Sequence, residues 1–265
     1  VPTPRDEILA AQRDRWVRTA RHLTVVSAIV ILSCGYVGLF DGRRLAAGVS
    51  SIVALIAETL PPDFSQLRRW LRPLLDTLAM SVAGTAIAVA CSFPLALFAA
   101  RNTSPHPLSF YAARGLLNAL RAIPELILGI VFVAAVGFGA LPGVLALGLH
   151  SIGMVGKFFA EAIEHADEAP VQAVRSAGAG RVQVIAHGIL PQVMPRLVDT
   201  TLYRWEYNFR ASTVMGAVGA GGIGQELIVS LRLFQYPSVS ALLILVLLMV
   251  TLVDALGSVL RRRFH

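Results

Sequence analysis

The chain has 265 residues, 55% of them hydrophobic and 15% charged, with a mean hydropathy of +0.68. That balance excludes an ordinary soluble domain and indicates an integral membrane protein. The net charge of +7 would suit nucleic acid, but the arginines flank apolar runs instead of sharing one basic face, so they read as membrane-orientation signals.

Residues 1–22 are polar and carry Arg5, Arg13, Arg15, Arg18 and Arg21, and are read as a cytoplasmic segment. The apolar run 23–40 is near spanning length. No small-x-small cleavage site follows it, which favours a retained first transmembrane helix over a removed signal peptide. Residues 41–73 form an external connecting segment, in which Ala46 to Leu60 is too short to span and is expected to lie as an amphipathic helix on the outer surface.

Leu78 to Ala100 has no charged residue and suffices to cross about 30 Å of hydrocarbon at about 1.5 Å per residue. Pro94 predicts a kink within it. Arg101 and Arg114 then mark a short cytoplasmic loop. From Ala122 to Ala160 the apolar stretch is long enough for two helices, with Gly137, Gly139, Pro142 and Gly143 supplying the turn. Pro195 to Gly216 is a fifth, unusually polar span, and Pro237 to Leu260 is a sixth that contains Asp254. Residues 261–265 are a cytoplasmic tail. In this six-span arrangement fourteen Lys and Arg residues fall on one side and six on the other, which places both termini inside.

Cys34 and Cys91 lie in apolar runs without Cys-x-x-Cys spacing or a neighbouring histidine. They suggest neither a disulfide framework nor a metal site, and are expected to be small core residues.

Between the fourth and fifth spans, residues 161–194 form a polar loop. Glu161 to Ser176 reads as a helix, Gly178 and Gly180 break it, and a second short helix from Arg181 is expected to end at Gly188 and Pro191. The segment QAVRSAGAGRVQVIAHGILP resembles the cytoplasmic coupling loop of ABC importer membrane subunits, whose pattern is EAA, three residues, Gly, nine residues, I-x-L-P. Ala173, Gly178, Leu190 and Pro191 fit that pattern, whereas Gln172, Val174 and Gly188 depart from it. The resemblance implies that Gln172, Ala173, Gly178, Ala179, Gly180, Leu190 and Pro191 meet an ATP-binding subunit.

Several apparent motifs carry no chemistry. Gly219, Gly221 and Gly224 have G-x-G-x-x-G spacing without the preceding strand or the later acid of a dinucleotide site, and suit close helix packing. Lys157 follows Gly156, but Ser151 and Phe158 occupy positions where a phosphate-binding loop needs Gly and Ser or Thr. Neither His-Glu-x-x-His nor Gly-x-Ser-x-Gly occurs, so an intramembrane hydrolase has little support.

The fifth span holds the candidate pathway residues Arg204, Asn208, Arg210, Ser212 and Thr213. Thr200, Arg204, Asn208 and Ser212 recur at four-residue spacing on one helix face, and Glu206 with Arg210 makes an i,i+4 charge pair on another. Ionisable groups at membrane depth cost about 2.5 to 3.5 kcal/mol each, so they mark pathways or pairs. Two readings of Arg204 stand: a positive lining for an anion, or a side chain that snorkels to the headgroups.

The words RAIPELILGIVFVAAVGFG and YNFRASTVMGAVGAGGIG, with the coupling loop, extend the resemblance to phosphonate-type ABC importer permeases over residues 74–260. The resemblance implies an all-α integral membrane protein of about six transmembrane helices with a type I, methionine-permease-like core. It implies a homodimer in a prokaryotic inner membrane, two ABC ATP-binding subunits that hold ATP and Mg, and an extracytoplasmic phosphonate-binding protein. No catalytic residue, cofactor or metal is expected in this chain. The expected cargo is phosphonate or a related phosphorus oxyanion. A methionine-type or other small-solute permease, and an ATP-independent channel, are the alternatives.

Overall fold

The computed structural model describes residues 4–263, so residues 1–3 of the expected N-terminal segment and 264–265 of the expected tail lie outside the described residues. The described chain is built from helices, without a strand, and separates into one unit ending at Glu58 and another beginning at Thr59.

The first unit holds α1 (Pro4–Tyr36) and α2 (Gly42–Glu58). Within α1, Arg15–Tyr36 is long and apolar enough to cross a bilayer. The helix stops at Tyr36 and not at Phe40, because Gly38 adopts φ +78. Asp41 then caps α2 by accepting from the backbone N–H groups of Arg43 and Arg44 at 3.2 and 3.1 Å. The apolar side chains Val49, Ile52, Val53 and Ile56 of α2 are all exposed.

The second unit is organised on α3 (Leu67–Ala99), which packs along α6 (Ala140–Glu164) and also meets α4 (Pro107–Ala122), α9 (Leu190–Met215) and α10 (Gly222–Arg232). Small buried residues make the α3–α6 contact close: Gly84 faces Leu147 and Gly148, and Ser92 Oγ donates to the Ile152 carbonyl at 3.0 Å. α3 begins well before the expected Leu78, because Trp70, Leu74 and Thr77 are buried and their packing holds the charged first turns in the helix. Cys91 lies on the exposed face of α3, not in the core. In the segment before α3, the Ser65 backbone N–H and hydroxyl both donate to the Asp63 carboxylate and hold it below the ordinary carboxylate range.

The expected loop around Arg114 is instead α4, which is bent by 84° from α5 (Glu125–Val136) at Ile123 and Pro124. Ile123 is extended, as the residue before a proline tends to be. Gly137 and Gly139, with φ +89 and +125, make the turn into α6. Pro142 and Gly143 already belong to the first turns of α6.

The coupling segment also differs from its expected form. α6 runs to Glu164, and Asp167 starts a separate α7 (Glu168–Ser176), so Glu161 to Ser176 is not one helix. After Gly180, α8 (Arg181–Gln183) passes through a π-helical turn at Val184–Ile189 directly into α9. Gly188 and Pro191 therefore do not stop the helix. Pro191 sits at the start of α9, where the wide preceding turn absorbs its missing N–H. α10 and α11 (Tyr236–Arg261) complete the unit. Among the described residues, four helices are long and apolar enough to span a bilayer, or up to six spans if each of two bent helix pairs crosses once.

Candidate functional site

Two features of the second unit could carry function. The first is the segment centred on α7. Asp167 accepts from Ala169 N at 3.1 Å as the helix cap, and Gln192 Oε1 accepts from Asp167 N at 2.9 Å, which ties the start of α7 to α9. Val171 is buried against the same end of the bundle. Beneath it, Arg114 grips Glu164 through both carboxylate oxygens at 2.8 and 2.9 Å. The base of α7 is thus fixed, while its outer surface is open. Gln172, Ala173, Gly178, Gly180 and Pro191 are exposed, and Ala179 and Leu190 are half-buried. Gly178 takes φ +83, a left-handed conformation that suits glycine at a helix end.

The second feature is a polar network inside the bundle. Arg204, Asn208 and Ser212 lie on one face of α9, and all are buried. Arg204 Nε donates to Ser151 Oγ at 2.8 Å, and Ser151 Oγ donates to Asn208 Oδ1 at 3.0 Å. Asn208 Nδ2 donates to Thr85 Oγ1 at 2.9 Å. The network therefore crosses from α9 through α6 to α3. Ser212 Oγ donates to the carbonyls of Phe209 and Thr77, at 2.7 and 3.2 Å.

Next to it stand two residues outside the candidate set, Glu125 and His150. Glu125, at the start of α5, accepts from the Tyr207 hydroxyl at 2.7 Å and lies 3.3 Å from His150 Nε2 on α6. His150 Nδ1 contacts the Ile123 carbonyl at 2.9 Å, at the α4–α5 break. A carbonyl only accepts, so Nδ1 carries the proton there. The Arg204 guanidinium lies over the Tyr207 ring, 4.2 Å from its centroid.

Arg204 thus does not snorkel; it is 5% exposed and surrounded by protein. The i,i+4 pair of Glu206 and Arg210 does not form. Glu206 instead meets Arg261 at 2.8 Å and Arg210 meets Asp254 at 2.9 Å, because α11 packs along that side of α9 and offers a closer partner to each. Gly257 makes the first contact possible, since a Cβ there would overlap Glu206 Oε1. Arg210 and Thr213 stand apart from the buried network: Arg210 is engaged with Asp254, and Thr213 donates to the Arg210 carbonyl at 2.7 Å.

Residues 92–265 match the family of the binding-protein-dependent transport system inner membrane component. The chain belongs to that family. It is 63% identical, over 98% of its length and 94% of the relative's, to the phosphite transport system permease protein PtxC of Stutzerimonas stutzeri. It is 43% identical to the phosphate-import permease protein PhnE of Mycolicibacterium smegmatis, over 84% of this chain and 42% of that protein. Its fold is similar to a chain of the inward-facing MetNI methionine ABC transporter, with a TM-score of 0.68 and 21% identity, covering 77% of this chain and 99% of that one. The all-helical, methionine-permease-like architecture expected from the sequence is therefore that of this inner membrane component.

Within the inner membrane component, the family match takes in α7 and the polar network apart from Thr77 and Thr85 on α3. Thr85, Glu125, His150, Ser151 and Tyr207 belong to the network or its flank and were not among the candidates from the sequence. Glu125 stands in the RAIPEL word and Tyr207 opens YNFRAST, so the clue available was the presence of both inside the two most distinctive segments.

Proposed function

We propose that this inner membrane component is the permease subunit of an ATP-driven importer of a phosphorus oxyanion, with phosphite the first candidate. The observation that carries this reading is the 63% identity, almost end to end, to the phosphite permease of Stutzerimonas stutzeri. The chain works with an ATP-binding subunit, which holds ATP and Mg, and with a binding protein that delivers the anion from outside. Two copies pair as a homodimer with two ATP-binding subunits. Both termini face the cytoplasm, a reading that the fourteen-to-six Lys and Arg asymmetry supports.

The exposed surface of α7, from Gln172 to Gly180, docks the ATP-binding subunit, with Leu190 and Pro191 at its edge. The helix that follows is continuous from Arg181 to Met215, which supports direct transmission from the docking end to the buried polar face. Arg204, Asn208 and Ser212 then line the path in the state that opens it. Arginine suits this cargo because its planar fork matches two oxygens of an oxyanion.

The test is uptake into proteoliposomes holding this chain with its cognate ATP-binding subunit, supplied with binding protein loaded in turn with phosphite, phosphate, methylphosphonate or methionine. ATP-dependent phosphite uptake is the expected result, and Gly178→Leu should abolish uptake while leaving both subunits folded. Uptake of methionine alone overturns the cargo, and uptake without ATP overturns the importer.

A further inference from the structure

A guanidinium buried in a helical core ordinarily takes a carboxylate, since an uncompensated charge there is strongly destabilising. Arg204 does not. Its Nε is used on Ser151, but its buried Nη2 has no hydrogen-bond partner. A carboxylate is nonetheless close: Glu125 and Arg204 both contact Tyr207, yet they form no ion pair within 4.0 Å.

Tyr207 keeps the two apart. Its ring lies against the guanidinium at 4.2 Å, and its hydroxyl donates to Glu125 Oε1 at 2.7 Å. His150 Nε2 lies 3.3 Å from the other carboxylate oxygen, and the Ile123 carbonyl at the α4–α5 break fixes the imidazole ring. One oxygen of Glu125 thus accepts from Tyr207 and the other faces His150, so neither is turned to Arg204. Elsewhere on α9 this restraint is missing, and Glu206 and Arg210 each meet an opposite charge directly.

We infer that Glu125, His150 and Tyr207 are positioning residues that withhold a carboxylate from Arg204, keeping its buried Nη2 for a tetrahedral phosphorus oxyanion. This rests on the importer reading above. A tetrahedral oxyanion carries several acceptor oxygens, so it supplies what the open nitrogen lacks, with the Ser151 hydroxyl and the Asn208 amide alongside. In the described conformation Nη2 is sealed from solvent, so the anion meets it in another state of the cycle.

The experiment is phosphite uptake by the reconstituted complex at saturating loaded binding protein, with subunit assembly measured in parallel. Tyr207→Phe removes the hydroxyl and frees Glu125 to pair with Arg204, so uptake should fall by about tenfold, the effect of one charge-assisted contact. Adding Glu125→Gln should restore uptake to within about twofold of Glu125→Gln alone, because no carboxylate is left to occupy the arginine. Rescue of uptake per assembled complex, with assembly unchanged across the variants, is an outcome that a purely structural role does not produce. A double variant no better than Tyr207→Phe, in a wild type that imports phosphite, overturns the clamp and leaves the importer standing. If Tyr207→Phe does not assemble, Glu125→Gln alone decides, since retained uptake supports withholding and lost uptake in an assembled complex overturns it. A wild type that imports methionine and no phosphorus oxyanion overturns the cargo reading instead.

Discussion

Two sides of α9 treat charge in opposite ways. Toward α11, Glu206 meets Arg261 and Arg210 meets Asp254, so each charge is answered one to one. Toward α3 and α6, Arg204 is answered by a hydroxyl, an aromatic ring and an amide network, while the nearest carboxylate is turned to a tyrosine and a histidine. Both sides are costly in a membrane by the same insertion scale. The difference shows that the count of charges on a span says little about its role; what matters is whether each charge has an opposite within reach. The α11 side is held by paired charges, and the α3–α6 side is the one proposed as the path.

The sharpest way to break this contrast is to attack the paired charges. Gly257→Leu places carbon where the Glu206 carboxylate lies, and should lower stability by about 3 kcal/mol, at the upper end for overpacking. Thermal unfolding of the detergent-solubilised protein reads this directly. Arg204→Gln should act the other way round, cutting phosphite uptake by about a hundredfold through loss of a charged contact worth about 2.7 kcal/mol. Its unfolding midpoint should be unchanged or raised, because an under-partnered buried charge is removed. A large drop in midpoint would move Arg204 to the structural side.

Glu206→Gln should cost about 2 kcal/mol of stability, below the range for fully buried pairs because Arg261 retains 30% exposure. Uptake per assembled complex should hold. Asp254→Asn is expected to be the mildest, about 0.6 kcal/mol, the average of interhelical polar contacts in membranes. A double-mutant cycle with Arg210→Gln measures that coupling, and a value several times larger would mean that the pair is part of the working site.

The sequence revealed the Arg204, Asn208 and Ser212 face because residues four apart on a helix must align, whatever surrounds them. It concealed Glu125, His150, Ser151 and Thr85, which arrive from three other helices and are distant in the chain. The same spacing rule misled at Glu206 and Arg210: it permits an i,i+4 pair, but cannot show that a neighbouring helix offers each a better partner. Pro191 was similarly ambiguous. Proline reads as a helix stop, yet one widened turn ahead of it let the helix continue. The span pattern was legible from apolar length, but not the 84° bend between α4 and α5, because Ile123 and Pro124 sit in a stretch that is apolar on both sides.

The widened turn at Val184–Ile189 has a geometric consequence. A π turn holds about one residue more than an α turn, so everything beyond it is phased about 100° from where an uninterrupted α-helix starting at Arg181 would place it. That azimuth is the one that aims Arg204 at α6 and Glu206 at α11. Deleting a single residue within 184–189 would leave composition, length and hydropathy almost untouched, yet would swing both faces of α9 onto the wrong neighbours. The compass bearing of the whole span is set outside it, in one irregular turn next to α7.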